Sequence, residues 1–165
     1  MAITLTVEDG SGVTGANIHV DTTDVDLFCT NRNLTAWADV TEELKKAAIL
    51  RAMDWIESRN FKGIKTNRDN PLKWPRYEVY SEDAYLLDSE VIPNNLKFAV
   101  DKAAYEESQS AGILQVNLTS DDFARRVKVG SIEVERSYSH YKTTFQQIES
   151  YLSDLVESGT QLVRC

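Results

Sequence analysis

Apolar residues alternate with polar ones at Ile3, Leu5 and Val7 and again at Ile18 and Val20, with Gly10, Gly12 and Gly15 between. That period of two predicts extended chain, an N-terminal arm over 1–20. The period then changes. Thr22 or Thr23 is positioned to cap a short helix reaching about Asn31, with Val25, Phe28 and Cys29 on one face and Asp24 and Asp26 near its positive end. A longer helix is predicted from Thr41 to Arg59, where Glu42 and Glu43 occupy the first turn and Leu44, Ala48, Ala52, Trp55 and Ile56 form an apolar stripe.

From Asn60 to Val91 no period is sustained, and the abundance of Tyr, Asn and Asp together with Pro71 and Pro75 predicts a long ordered loop. Pro93 suits the first turn of a third helix, in which Leu96, Val100, Ala103 and Ala104 form the stripe and Gly112 supplies the stop. Around Gly130-Ser131 a two-residue turn sets Val129 opposite Ile132 and Val127 opposite Val134 on one face. The same register sets Lys128 opposite Glu133 and Arg126 opposite Glu135 on the other. Thr144 and Gln147 fit a capping box for a last helix carrying Phe145, Ile148, Leu152, Leu155 and Val156 and ending near Gly159. The expected fold is mainly α: one domain over 1–165, a small bundle of about four helices with one β-hairpin. Its parts are an extended arm (1–20), a helical core (22–156) carrying the hairpin (126–136), and a C-terminal tail (157–165).

Composition changes this picture little, but charge narrows the function. The net charge is −8, which disfavours tight binding to nucleic acid, because that affinity comes mainly from Lys and Arg displacing counterions. The start of the chain lacks a basic segment followed by a long apolar one, and no stretch approaches the roughly 18–20 apolar residues of a membrane helix. Cys29 and Cys165 cannot form a dense disulfide framework, which fits a reduced, cytosolic setting.

Candidate chemistry is sparse. Gly10-x-Gly12-x-x-Gly15 matches a dinucleotide fingerprint in form, yet Glu8 and Asp9 precede it and an alternating segment, not a helix, follows. Asp24 with Asp26, Asp121 with Asp122, and the group Glu82, Asp83, Asp88 and Glu90 lack metal-ligand spacing and read as caps or solvated surface. His19 and His140 are far apart and read as surface or interface residues; Cys29 reads as a core thiol. No catalytic, cofactor or metal residue is therefore assigned. Trp74, Pro75 and Arg76 offer either a base-stacking platform or, preferred here, an anchor pinning the loop onto the helices.

Several segments in order carry a resemblance: Val7 to Val13 with Gly15-Ala16-Asn17, Leu50 to Ile56, Trp74-Pro75-Arg76, Ile92 to Leu96, and Val129 to Val134. Together they resemble a family of tailed-bacteriophage proteins similar to head–tail connector subunits (adaptors or head-completion proteins), a family also described as DnaT-like single-stranded DNA-binding. Ile18-His19 departs from the expected Ser-Tyr, and the end of the chain has no match. The resemblance implies a structural virion protein at the neck, made in the host cytoplasm. It would form a homo-oligomeric ring, commonly of twelve copies, between the portal protein and the tail or tail-terminator protein, with genomic DNA passing through unbound and no membrane partner.

On that reading the arm, the hairpin and the tail contact neighbours, with Val127, Val129, Gly130, Ile132, Val134, Leu162, Val163 and Arg164 as interface residues. The alternative is a single-stranded DNA-binding or replication-accessory protein, resting on Arg125, Arg126 and Lys128 beside Tyr138 and Tyr141. A small enzyme would rest only on the glycine pattern and the scattered acids.

Overall fold

The computed structural model describes residues 3–115, 126–129, 132–135 and 145–157. Among them are four α-helices, α1 (Thr22–Asn31), α2 (Glu42–Glu57), α3 (Asn94–Gln109) and α4 (Gln146–Leu152). A 3-10 turn, Thr35–Trp37, separates α1 from α2. Two antiparallel strand pairs complete the set, β1 (Ile64–Lys65) with β2 (Arg76–Tyr77), and β3 (Arg126–Val129) with β4 (Ile132–Glu135). The protein is a mainly helical bundle with a β-hairpin, and no helix among the described residues is long and apolar enough to cross a membrane.

Helix α3 is the element against which the others pack: α2, α4 and α1 all lie along it. Its buried face carries Leu96, Ala99, Val100, Ala103 and Ala104, and the three alanines let neighbouring backbones approach closely while Leu96 and Val100 fill the space between. Facing it, α2 contributes Ala48, Ile49, Ala52, Met53, Trp55 and Ile56. Ile148, Leu152 and Leu155 close the core from the C-terminal side. Leu44, expected in the α2 stripe, is 58% exposed. It sits in the first turn of α2, ahead of the buried run that begins at Ala48.

The caps differ from expectation at both ends of the chain. Helix α1 is capped by Asp21, not by Thr22 or Thr23: its carboxylate accepts from the Asp24 N–H at 3.0 Å while the Asp24 carboxylate accepts from the Asp21 N–H at 3.1 Å. An aspartate at the third position closes the reciprocal box just as the usual Glu or Gln does. Pro93 stands as the N-cap of α3. Helix α4 ends at Leu152, well short of Gly159, with Phe145 as N-cap and no side-chain cap bond; Thr144 lies outside the described residues. After Leu152 the chain turns, and Val156 pairs with Phe61 while the Lys62 N–H donates to the Leu155 carbonyl at 2.8 Å.

The β3–β4 register is the one both side-chain patterns predict, Val129 with Ile132, Lys128 with Glu133, Val127 with Val134 and Arg126 with Glu135. The N-terminal segment is extended but does not project. Ile18 and Val20 are fully buried and Ala16 nearly so, and the Glu8 N–H donates to the Ile18 carbonyl at 2.8 Å as the segment folds back on itself. Both faces of 18–20 are covered, so His19, expected at a surface or interface, is buried as well. A period of two exposes alternate residues only where one face meets solvent.

Two buried acids shape stability in opposite ways. Glu107, on α3, accepts from Arg51 Nε (2.7 Å) and from the Gly112 (2.8 Å) and Leu114 (3.0 Å) N–H groups, locking the turn that follows the helix. Glu107→Ala strands these donors and is expected to cost about 2–4 kcal/mol in urea unfolding, whereas Leu44→Ser stays within about 0.5 kcal/mol.

Asp101 is also buried, but its Oδ1 has no partner among the described residues. Burial pushes its carboxyl up to about 7, Asp24 adds to the rise, and Arg32 and Lys97 oppose it. Because the folded value lies above the unfolded one, the fold favours the protonated acid. The destabilisation is absent below about pH 4, grows as pH rises towards 7 and is complete above that. Asp101→Asn is expected to raise the unfolding free energy by about 1–3 kcal/mol near pH 8 and to leave it little changed near pH 4.

Candidate functional site

The segment between α2 and α3 is ordered by an inward tryptophan and an inward arginine. Trp74 is fully buried, donates from Nε1 to the Val91 carbonyl at 3.3 Å, and meets Phe61 edge to face at 5.9 Å between centroids. Pro75 follows through a cis peptide bond and is buried. The Arg76 guanidinium then donates to the carbonyls of Lys62 (2.7 Å), Lys73 (3.1 Å), Phe61 (3.3 Å) and Gly63 (2.5 Å). Its planar fork is suited to several fixed acceptors at once. These bonds hold β1 and β2 together beyond their own two-residue pairing, Ile64 with Tyr77 and Lys65 with Arg76.

The segment so fixed is markedly basic. From 59 to 77 stand six cations, Arg59, Lys62, Lys65, Arg68, Lys73 and Arg76, against one acid, Asp69. Arg59 is paired with Glu149 at 2.9 Å. Lys65 and Lys73 donate to backbone carbonyls of Asn70 and Arg59, which leaves their charge uncompensated. Lys62, Lys65, Arg68 and Lys73 have no acidic partner within ion-pair distance among the described residues. Three exposed aromatics follow: Tyr77 at the end of β2, and Tyr80 and Tyr85 in a tight turn closed by the Tyr80–Leu86 bridge. Cations with interleaved exposed rings can grip a phosphate backbone and stack unpaired bases. A window over 59–77 would have exposed this signal in the sequence, but the whole-chain charge of −8 masks it.

The other candidates resolve differently. The glycine motif forms a backbone nest already filled by the protein itself: Glu8, fully buried, accepts from the N–H groups of Gly10 (2.9 Å), Gly12 (2.8 Å) and Val13 (2.8 Å). Such a nest would suit an anion, and the internal carboxylate takes that place. Gly10 has φ +114°, and a Cβ there would collide with the Glu90 carbonyl.

Cys29 is buried, and burial, with Asp101 and Asp26 adding to it, pushes its thiol up to about 11, which makes it a poor nucleophile. Burial alone would raise Asp26, but bonds from Lys45 Nζ (2.7 Å) and Trp37 Nε1 (2.6 Å) hold its carboxyl below the usual range. His19 Nε2 lies 3.8 Å from Glu57 Oε1, and neither ring nitrogen is hydrogen-bonded among the described residues. No three His, Cys, Asp or Glu side chains among the described residues converge as a metal site.

Arg126, Val127, Lys128, Val129, Ile132 and Val134 lie in β3 and β4, where the backbone register sets each strand cation opposite a glutamate. Arg125, Gly130, Tyr138, His140, Tyr141, Leu162, Val163 and Arg164 lie outside the described residues.

Comparison with known proteins identifies a family. A family model described as "Putative DnaT-like ssDNA binding protein" covers residues 3–165; no curated protein and no solved structure matches the chain. The match corrects the reading of a phage neck adaptor, since the family description names single-stranded DNA binding and no virion component. The short segments behind that reading carry a family likeness in their order. With nearly its full length matched, the chain belongs to the family described as DnaT-like single-stranded DNA-binding proteins.

Proposed function

We propose that the protein binds single-stranded DNA through the β1–β2 ribbon and the tyrosine-bearing turn after it. The observation that carries this reading is the concentration of cations over 59–77 beside Tyr77, Tyr80 and Tyr85, in a family whose description names this ligand. Lys62, Arg68 and Lys73 follow the phosphates, and the tyrosine rings stack on bases without regard to sequence. The acidic residues elsewhere in the chain oppose non-productive contacts and favour approach of the strand to this basic segment, because like charge repels phosphate. Binding is therefore modest and strongly salt-dependent. The role is that of a binding protein, with no reaction assigned to it.

Fluorescence anisotropy with oligo(dT) across a salt series tests this. The logarithm of affinity is expected to fall with the logarithm of salt with a slope of about −2 to −3, the value for three or four phosphates on a single strand. Lys62 and Arg68 make no side-chain hydrogen bond among the described residues, so changing both to Ala spares the fold. The double variant is expected to lower low-salt affinity roughly tenfold and to flatten the slope by about one unit. Changing Arg125, Arg126 and Lys128 to Ala is expected to alter affinity less than about twofold. Absence of binding at low salt would overturn the proposal.

A further inference from the structure

Beside the basic ribbon lies an open cleft of about 720 Å³, between the glycine turn of 10–12 and the β1–β2 loop. Its volume falls within the roughly 300–1,000 Å³ typical of small-ligand sites. Ser11, Thr66, Asn67, Tyr77, Ser89 and Glu90 contribute to its lining, with no Lys or Arg among the lining residues. Hydroxyls, an amide and a carboxylate beside an aromatic ring suit a neutral, planar, hydrogen-bonding group, and the lack of a cation makes the cleft unsuitable for phosphate. The backbone N–H groups of the nearby nest do not change this, because Glu8 already occupies them.

The position of Tyr77 connects this cleft to the ribbon. Tyr77 pairs directly with Ile64 across β1 and β2, and both are exposed, at 39% and 51%. Residues directly opposite in an antiparallel pair share a face, so the two form an apolar platform. Their neighbours Lys65 and Arg76 form the next pair in the register and so occupy the opposite face. A strand whose phosphates follow Lys62 and Arg68 thus meets an apolar surface and a polar cleft on the same ribbon. The same loop is braced from below: the Asn70 amide donates to Thr66 Oγ1 at 3.4 Å, and the Thr66 N–H donates to the Pro75 carbonyl at 3.1 Å.

We propose that this cleft receives one unpaired nucleobase of the bound strand, stacked against Tyr77, with its hydrogen-bonding edge directed at the Ser, Thr, Asn and Glu side chains of the lining. The inference rests on the single-stranded DNA reading above and adds a base-specific site to its backbone contacts. Phosphate contacts and base contacts separate experimentally when the bases are removed from the ligand.

The test compares a DNA oligonucleotide with an abasic strand of equal length by fluorescence anisotropy at low salt. The intact strand is expected to bind about tenfold tighter than the abasic one, within the range measured for one stacked base. Tyr77→Ala, which removes the stacking ring, and Ser89→Trp, which fills the cleft, are each expected to reduce that ratio at least about threefold. Circular dichroism melting confirms that each variant is folded. Equal affinity for intact and abasic strands would overturn the cleft inference and leave strand binding standing. A ratio that neither folded variant lowers would place base contacts elsewhere and overturn it too. No binding of either strand would overturn the DNA-binding reading and the cleft with it.

Discussion

The Arg76 guanidinium points inward, onto carbonyls of residues 61, 62, 63 and 73, and the organisation of the candidate site depends on that choice. Two-residue strands are too short to hold their own register. What fixes β1 against β2 is the guanidinium between them and Trp74 buried beneath them against Phe61. The final turn of the chain adds a third constraint, since the Lys62 N–H donates to Leu155 and the Glu157 N–H to the Asn60 carbonyl. A basic segment with few apolar residues of its own is thereby made rigid by the helical core. Rigidity matters for a strand-binding surface, because a ribbon already ordered pays less entropy on binding.

Charge is distributed as sharply as packing. A chain of net charge −8 confines six cations to 59–77 with a single acid among them. On the proposed reading, the same separation gives the two halves of a nucleotide different partners: lysine and arginine for the phosphate, and hydroxyl, amide and carboxylate groups of the adjoining cleft for the base. The glycine turn forms one wall of that cleft. Its tight path follows from an internal carboxylate, as Glu8 is wrapped by the N–H groups of Gly10, Gly12 and Val13. A motif that resembles a phosphate loop serves here to bury an acid and shape a neighbouring surface.

Legibility from sequence tracked how many independent patterns agreed. The β3–β4 register was readable because apolar and charged faces each demanded it, and α3 because its stripe, its starting proline and its stop residue coincided. Leu44 shows the limit of periodicity, since a stripe does not reveal that a helix begins beyond the edge of the core. His19 shows another: alternation predicts exposure only when one face is wet, and chain 18–20 is covered on both. The basic ribbon was hidden by averaging over the whole chain, and its contacts with residues 91 and 155 are distant in sequence, beyond the reach of any local pattern. The neck-adaptor reading failed because an ordered set of short segments can report kinship without reporting what the protein binds.

Hydrogen–deuterium exchange with and without oligo(dT) is the most direct measurement of where the strand lies. Protection concentrated in 59–80, with little change in 126–135, is the predicted result; protection confined to 126–135, or none under conditions that saturate binding, would contradict a strand-binding role for the β1–β2 ribbon.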